Sequence, residues 1–538
     1  MKRRLITIIA LLMTLTIGLS LFAACGEKAI KDLPETEDNY RTFYQIFPYS
    51  FADSDGDGIG DINGIIAKLD YIANMNFDGI WLTPVHQSPS YHKYDVVDYK
   101  SIDRKFGTLE DYDRLVEECH KRGMTIILDL VVNHTSNEHT WFKNCLTAHK
   151  RDNEDSKYYN YYNVKHEKIT DEEWTVSGNV SYESQFWSGM PDLNWQYVLD
   201  EPNGYLAEDL KDIMKFWLID HKVDGFRLDA TAEYFSNDNE KSIQALAWLN
   251  DAAKAIKPDC YIVGEGPWGA TAYQYHESGI DSFFLFNHGV RGDHSISMAA
   301  RGMMGATNWF VDIDKENQSK LQPNSIPAMF VANHDTARAY GILQGGASNG
   351  IGLDNMKMGY GVMAMCAGAT FWYYGDEVGM NVFPKTTGNK DVIDEHRRQP
   401  MPWGDSYQCT PISGTDKAVV DSVKYPYGDV KKNLRDGDSL INYITRANAL
   451  RRAFPAIARS YATQVYNDGQ YLLLIKKGAG ADEIYIAINF SHNYTQSLNL
   501  SEYGNFKLAG TLSVDKTPSL KGSNLTMPPM TFAVLQKV

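Results

Sequence analysis

Eight short apolar segments recur along the chain, separated by stretches with helical signals, and this alternation limits the possible folds most strongly. Near-continuous apolar runs are typical of parallel strands that are buried on both faces. One intervening helix is predicted to begin at Thr108 and run to Arg122, with Gly123 as its stop. The count predicts an α/β fold, a (β/α)8 TIM barrel. The eight runs are Tyr44–Phe51, Gly79–Val85, Thr125–Asn133, Gly225–Ala230, Cys260–Glu265, Asp281–Phe286, Ala328–Asn333 and Ala369–Gly375.

Two regions interrupt the alternation. Residues 135–195, after the third run, are polar and rich in tyrosine and lack a helix pattern, which predicts a small inserted domain. From residue 459 onward the pattern changes to short alternating strands, which predicts a C-terminal antiparallel β-sandwich. The barrel itself is then expected to consist of residues 40–134 and 196–458.

The N-terminal segment has the character of a targeting sequence. Three basic residues precede an apolar run over Leu5–Phe22, which is followed by two alanines and Cys25. This order predicts a secretory signal over residues 1–25. Because the cysteine follows two alanines, the segment resembles a bacterial lipobox, and an ordinary signal peptide or an uncleaved anchor helix is the alternative. With residues 26–39 as a polar tether, we expect an exported, lipid-anchored protein on the extracellular face of the bacterial membrane.

Charge and cysteine usage exclude several classes of function. The formal net charge of −16 argues against a nucleic-acid partner. Apart from Cys25 the cysteines are odd in number and widely spaced, with no C-x-x-C pair, so neither a disulfide framework nor a cysteine metal site is indicated. We expect them to be buried thiols. They are Cys119, Cys145, Cys260, Cys366 and Cys409.

Three acidic residues end three of the predicted barrel strands. Asp229 lies at the end of the fourth run, one residue before its last position, Glu265 ends the fifth, and Asp335 closely follows the seventh. In such a barrel, polar residues at the strand ends line one mouth, where active sites are built. Any single acid there could be a helix N-cap. Three acids at one mouth instead indicate glycoside hydrolysis, which uses a pair of carboxylates.

The sequence also suggests unequal roles for these acids. In a retaining mechanism one carboxylate attacks the anomeric carbon, while another protonates the departing oxygen. Crowding by other acids raises the pKa of the proton donor, and a nearby arginine keeps the attacking carboxylate ionised. Arg227 precedes Asp229 by two residues and therefore points to the same side of the strand.

At these positions the chain resembles the α-amylase family of glycoside hydrolases, family 13. The resemblance extends over roughly residues 40–538, and its motifs occur in the family's order. Each motif alone is weak evidence, but eight in order are strong. They are Gly79–Pro84, Asp129–His134, Met190–Asn194, Gly225–Ala230, Val263–Glu265, Phe330–Asp335, Tyr373–Glu377 and Arg398–Trp403.

The resemblance implies specific roles. Asp229 is expected to be the nucleophile, Glu265 the acid/base, and Asp335 a third acid that binds hydroxyls of the distorted sugar in the −1 subsite. Further residues of that subsite are implied, with a platform tyrosine under the sugar. Taken alone, each histidine could as easily be a satisfied buried residue, and a core residue near a strand end is the alternative for the tyrosine. They are Tyr94, His134, Arg227 and His334.

A second chemical feature is the acidic loop Asp53-Ser-Asp-Gly-Asp-Gly-Ile-Gly-Asp61. Carboxylates at every second position with Gly58 at the sixth follow the logic of an EF-hand, but Gly64 replaces the bidentate glutamate at position twelve. The loop resembles the calcium loop of the oligo-1,6-glucosidase and neopullulanase branches of the family, and a solvated acidic turn is the alternative. The resemblance implies Ca²⁺ held by Asp53, Asp55, Asp57, Asp61 and the carbonyl of Ile59.

Several positions depart from the family pattern and bear on specificity. Ala232 and Glu233 stand where many α-amylases have a Lys-His pair, and Lys93 replaces the usual glycine before the platform tyrosine. Where this chain has Tyr91, exo-acting oligo-1,6-glucosidases carry an aspartate that holds a terminal glucose. Its absence favours an enzyme that accepts longer chains.

These observations predict a retaining α-amylase that cleaves α-1,4-glucosidic bonds of starch and maltooligosaccharides. An oligo-α-glucosidase, a neopullulanase or a transglycosylase would use the same chemistry and is the close alternative. A non-catalytic glucan-binding or transport-accessory protein is a remote alternative, because the chain retains all three acids. We expect an α-glucan as partner, membrane contact only through the lipid anchor, and a monomer.

Overall fold

The computed structural model describes residues 33–289, 296–303, 305–344, 352–382 and 394–538. Eight parallel strands form one sheet in which neighbours along the chain are neighbours in space, and the eighth strand pairs with the first. A bridge between Phe284 and Ala328 joins the sixth strand to the seventh and closes the barrel. The predicted (β/α)8 barrel is confirmed. Its strands, one to eight, are Thr42–Ile46, Gly79–Leu82, Thr125–Leu130, Gly225–Leu228, Tyr261–Gly264, Ser282–Phe283, Ala328–Phe330 and Ala369–Tyr373.

Alternate residues of each strand point into the barrel and build its interior. Trp81 on the second strand stacks against Phe284, which follows the sixth strand on the opposite wall, with 5.1 Å between ring centroids. Phe43 stacks on Phe371 at 4.8 Å. The same period of two brings polar side chains to the mouth, because Asp129 follows the interior residue Ile127 by two positions.

The barrel helices begin with local capping signals. The helix Leu109–His120 has a full capping box between Thr108 and Asp111, and Gly123 adopts φ +67° just beyond its end, as the sequence predicted. The other main helices of the barrel region are Ile62–Asn74, Trp195–Asp200, Tyr205–Lys215, Asn239–Ile256, Ala306–Lys320, Ala339–Gln344, Gly352–Met365 and Leu440–Ala453. Shorter helices are Phe286–Gly289, Ile296–Ala300, Lys417–Ser422, Val430–Asn433 and Ala456–Arg459.

The region between the third and fourth barrel strands contains a small antiparallel sheet. Its strands are Val164–Lys165, Trp174–Ser177 and Val180–Glu183, with the last one in the centre. It also contains the helix Thr140–Lys150, so the expectation that residues 135–195 lack a helix was wrong. The buried stripe of this helix is narrow and lies among polar neighbours, which hides its period. The stripe consists of Phe142, Cys145, Ala148 and His149.

The C-terminal region forms two antiparallel sheets that face each other, as the predicted β-sandwich requires. Leu474 and Tyr485 of the larger sheet pack with Leu498 and Leu525 of the smaller one. The larger sheet contains, in spatial order, Thr463–Asn467, Leu472–Lys477, Ile484–Asn489, Thr531–Lys537 and Phe506–Ser513. The smaller contains Gln496–Asn499, Asn524–Met527 and Ser519–Lys521.

The signal segment, Cys25 and the beginning of the predicted tether lie outside the described residues. The described end of the tether contacts the base of the barrel, because the Thr36 hydroxyl donates to Asp78, directly before the second strand. Arg459 forms an ion pair with Asp38 at 2.6 Å. Within the described part of the chain, no helix has the length and apolar character needed to cross a membrane. The five cysteines outside the signal segment are buried free thiols, as predicted.

Candidate active site at the barrel mouth

One buried guanidinium group organises the acids at the mouth. Arg227 has no exposed side-chain surface, and its Nη1 lies 2.5 Å from an Asp129 oxygen and 2.7 Å from an Asp229 oxygen. Its Nη2 lies 2.7 Å from a Glu265 oxygen. The structure therefore brings Asp229 and Glu265 together on one cation. The sequence had indicated Arg227 beside Asp229 but not its second contact with Glu265.

Glu265 lies in an environment that favours its neutral form. Burial raises its pKa to about 8, and the negative charges of Asp229 and Asp335 act in the same direction, while Arg227 opposes them. The side chain keeps 25% of its surface exposed, so a ligand at the mouth can reach it. Crowding was the expected cause of the raised pKa, but burial contributes more.

Asp335 lies in the opposite electrostatic environment. Burial would raise its pKa, but His334 and Arg398 outweigh burial and lower it well below the usual range. Arg398 Nη2 donates to one carboxylate oxygen at 2.8 Å, and His334 Nε2 lies 3.0 Å from the other. Asp335 is therefore ionised while a third of its side chain stays exposed at the mouth.

Arg398 and Asp129 belong to this network, although the sequence pattern predicted a role for neither of them. Arg398 also donates from Nε to the carbonyl of His334, so it fixes backbone and side chain together. Asp129 accepts hydrogen bonds from the Trp81 indole and the Tyr94 hydroxyl, and burial raises its pKa to about 7. An acid inside an apolar strand, at the start of the motif Asp129–His134, was the signal that could have identified Asp129.

Tyr94 and His334 connect the two arginines. The Tyr94 hydroxyl hydrogen-bonds to His334 Nε2 and accepts from Arg227 Nη1 at 3.3 Å. The side-chain nitrogen of Gln45 lies 2.8 Å from His334 Nδ1 and donates to it, which leaves the ring proton on Nε2. Burial lowers the pKa of His334, while the charge of Asp335 and its hydrogen bond oppose that effect.

His134 is the subsite residue with a free ring nitrogen. It is buried, and burial lowers its pKa, while Asp229 is the charge that most opposes this effect. Its Nδ1 lies 3.3 Å from the Asn133 amide, and Nε2 has no hydrogen-bond partner among the described residues. A buried polar atom usually has a partner, so Nε2 is available to a ligand hydroxyl. Phe186, half exposed, packs edge-on to the ring at 5.2 Å.

The acidic loop near the first barrel strand forms a second cluster of carboxylates. Asp53, Asp55 and Asp61 each offer an oxygen, and these oxygens lie within 4.8 Å of one another. Asp57 is not part of this group, and its carboxylate accepts the backbone N–H of Ile59. Three converging carboxylates supply the hard oxygen ligands that Ca²⁺ binds, so the donor set fits this ion.

The loop is anchored to the segment that follows Arg398. The Thr410 N–H donates to the carbonyl of Gly58 at 2.8 Å, and the Asp53 N–H donates to the carbonyl of Tyr407. Gly58 has φ +91°, and a Cβ there would lie 2.6 Å from the Thr410 hydroxyl. Only glycine fits this crossing without displacement.

Comparisons with known proteins agree with this architecture. The family model described as "Alpha amylase, catalytic domain" matches residues 45–460. "Alpha-amylase 3" of Dictyoglomus thermophilum is 37% identical over 68% of this chain and 67% of its own length. The "Oligo-1,6-glucosidase" of Parageobacillus thermoglucosidasius is 29% identical over 89% of this chain and 95% of its own. The solved structure "Eubacterium rectale Amy13B" has a TM-score of 0.84 at 33% identity and covers 94% of this chain and 97% of its own.

Proposed function

The chain belongs to the α-amylase family of glycoside hydrolases, family 13, and from this premise we propose that it is a retaining α-amylase. Its substrates are starch and maltooligosaccharides, and it cleaves their α-1,4-glucosidic bonds. The observation that carries the proposal is the contrast between two carboxylates on one guanidinium group. Burial and the neighbouring acids raise the pKa of Glu265 to about 8. Asp229 instead shares Nη1 of Arg227 with the buried Asp129, and its own side chain is only 11% exposed.

The reaction proceeds in two displacements. Asp229 attacks the anomeric carbon while Glu265 gives its proton to the departing glycosidic oxygen, which forms a covalent glycosyl-enzyme. Glu265, now ionised, then takes a proton from water, and the water oxygen displaces Asp229 from the same carbon. Asp335, ionised and partly exposed, accepts hydrogen bonds from hydroxyls of the distorted sugar. His134 Nε2 contributes a further contact, and Tyr94 lies under the ring.

Three exposed aromatic side chains support the preference for longer chains. Trp268 follows Glu265 by three positions and packs on Phe286 at 4.4 Å between ring centroids, with half of its surface exposed. Phe186 and Trp187 are similarly exposed, and Phe186 contacts His134. Sugar rings stack on such faces, so a glucan can extend beyond the cleavage point.

An oligo-α-glucosidase or transglycosylase on the same carboxylates is the second candidate. The similarity to an oligo-1,6-glucosidase over 89% of this chain favours it. The hydroxyl of Tyr91, which accepts from Arg398 at 3.2 Å, argues for the first candidate because it supplies no carboxylate to clamp a terminal glucose.

We also propose that Ca²⁺ binds the acidic loop through Asp53, Asp55 and Asp61. Asp57 and the Ile59 carbonyl stay predictions from the family resemblance. The ion takes no part in the chemistry and stabilises the loop together with the segment Tyr407–Thr410, which is hydrogen-bonded to it.

We propose further that the protein is anchored by a lipid on Cys25 at the extracellular face of the membrane. The basic and apolar pattern of the N-terminal segment supports this location. The tether contacts the barrel base near Asp78, at the end opposite the mouth. An enzyme held in this way presents its mouth to the medium, where polymeric glucan is found.

Product analysis on amylose, pullulan, maltotriose and isomaltose tests the proposal. We expect amylose to give a ladder of maltooligosaccharides whose newly formed ends have the α configuration, and little glucose from isomaltose. Dominant cleavage of isomaltose, or release of the β anomer, would contradict it.

A further inference from the structure

The loop that carries Tyr94 to the mouth is held by a buried ion pair of its own. Lys93 Nζ lies 2.6 Å from an Asp103 oxygen and donates to the carbonyl of Ser88 at 3.1 Å. The side chains of Lys93 and Asp103 are 4% and 6% exposed. The ammonium group therefore lies in the protein interior, where an unpaired charge is strongly unfavourable.

The backbone at Lys93 makes this side chain an unexpected choice. Its φ is +68°, in the left-handed region that glycine adopts freely and residues with a Cβ avoid. Contacts of the lysine side chain can offset the strain at such a position. The ion pair with Asp103 is such a contact, and it joins the loop to the turn before the helix Leu109–His120.

The residues on both sides of Lys93 lie near the mouth. His92 is buried where the charges of Arg398 and Asp335 act on its pKa, and the Tyr94 hydroxyl contacts Arg227. The backbone N–H of Tyr94 donates to His92 Nδ1 at 3.1 Å, which fixes the His92 ring to the Tyr94 backbone. The Tyr94 hydroxyl contacts Asp129 and Arg227, and Arg227 in turn holds Asp229 and Glu265. A displacement of Tyr94 would therefore move the guanidinium group of Arg227, and with it the carboxylates of Asp229 and Glu265.

We propose that the Lys93–Asp103 ion pair positions Tyr94 and His92 in the −1 subsite. Lys93 is thus a positioning residue that acts through Tyr94 and never touches the sugar. This inference rests on the proposed function for the identity of the subsite. It adds a determinant of catalytic geometry that lies outside the set of mouth-lining side chains.

Lys93→Met keeps the length of the side chain and removes its charge, and Asp103→Asn removes the partner charge. A matched control is Lys477→Met, because Lys477 pairs with Asp314 at 3.2 Å and both side chains are fully buried beside the C-terminal sheets. For each variant we would measure kcat and KM on the α-glucoside that the wild type cleaves fastest, together with thermal unfolding. The affinity of 1-deoxynojirimycin, a −1 subsite ligand, is measured by calorimetry.

We expect both loop variants to lose about tenfold or more in kcat, because catalysis is sensitive to small displacements of the reacting groups. The affinity for 1-deoxynojirimycin should fall in parallel, and Lys93→Arg, which retains the charge, should recover part of both. Lys477→Met should lower the unfolding temperature and keep kcat within about twofold of wild type.

The variant Lys93→Gly distinguishes the effect of backbone strain from the effect of the ion pair. Glycine adopts φ +68° without strain, but the variant has no ion pair with Asp103. We expect this variant to fold and to have a low kcat. If Lys93→Met and Lys93→Gly both keep kcat and inhibitor affinity close to wild type, the positioning role is wrong. If the wild type cleaves no α-glucoside, the proposed function fails, and inhibitor affinity still decides the positioning role.

Discussion

Two clusters of carboxylates lie at the same end of the barrel, and they are compensated in different ways. At the mouth, Arg227 contacts Asp229 and Glu265, and Arg398 contacts Asp335. In the acidic loop, Asp53, Asp55 and Asp61 converge with no lysine or arginine at ion-pair distance within the described residues. Two of these carboxylates, those of Asp53 and Asp61, are buried, and they accept hydrogen bonds from backbone N–H groups and from the Ser54 hydroxyl.

The difference indicates what each cluster requires. The mouth contains its own cations, so its acids can be held at unequal pKa values with no bound ion. In the loop, the negative charge of the carboxylates would be balanced by a cation bound from solution, which is typical of a cation-binding site. Charge balance thus separates a reacting cluster from a binding cluster more clearly than the number of acids does.

Glu265→Gln should have the largest effect on the mouth, because the amide cannot donate a proton to the leaving oxygen. We expect kcat on starch to fall by about 10²–10⁴-fold. Release of reducing sugar measures it, with Glu277→Gln, a change that leaves the mouth untouched, as control. Turnover close to wild type would mean that another group is the acid.

Arg227→Met removes the built-in cation and tests the first half of the comparison. Three carboxylates would remain with too little positive charge, so the free energy of unfolding should decrease by about 3–5 kcal/mol. Chemical denaturation measures this decrease. A variant as stable as wild type would show that Asp129, Asp229 and Glu265 do not depend on the guanidinium group.

Removal of calcium tests the second half. If the loop binds the ion, stabilisation at a calcium concentration one hundred times Kd is about 2.7 kcal/mol, and a chelator abolishes it. With or without calcium, the Asp55→Asn variant should unfold at the temperature at which the wild type unfolds in the presence of the chelator. The control is Asp155→Asn, which changes an exposed acid elsewhere and should respond to calcium as the wild type does. A melting temperature that a chelator leaves unchanged would contradict the site.

The smallest effect concerns pH. Glu265 must be protonated to act as the acid, so activity should hold on the acidic side of its pKa and fall as pH rises through about 8. The profile of kcat/KM between about pH 5 and 10 measures this limb. Asp55→Asn should leave the limb in place, because the loop has no part in the chemistry. A decrease of kcat/KM that is already complete near pH 6 would contradict the assignment of Glu265 as the acid.

The barrel and the principal acids could be predicted because their signals are local. Each apolar run defines a strand, and an acid at its end must lie at the mouth. The contacts that tune these acids join residues far apart in the chain, such as Arg398 and Asp335, and no local pattern reveals them. The φ angle of Lys93 and its ion pair with Asp103 likewise follow from the folded loop and could not be predicted from the sequence. The helix Thr140–Lys150 was missed because its apolar stripe is short.

Trapping of the glycosyl-enzyme tests the central claim most directly. A 5-fluoro-α-glucosyl fluoride should form a stable ester, and peptide mass spectrometry should locate the added glycosyl mass on Asp229, with no adduct in Asp229→Asn. An adduct on another carboxylate, or rapid hydrolysis of the reagent by Asp229→Asn, would contradict a retaining mechanism through Asp229.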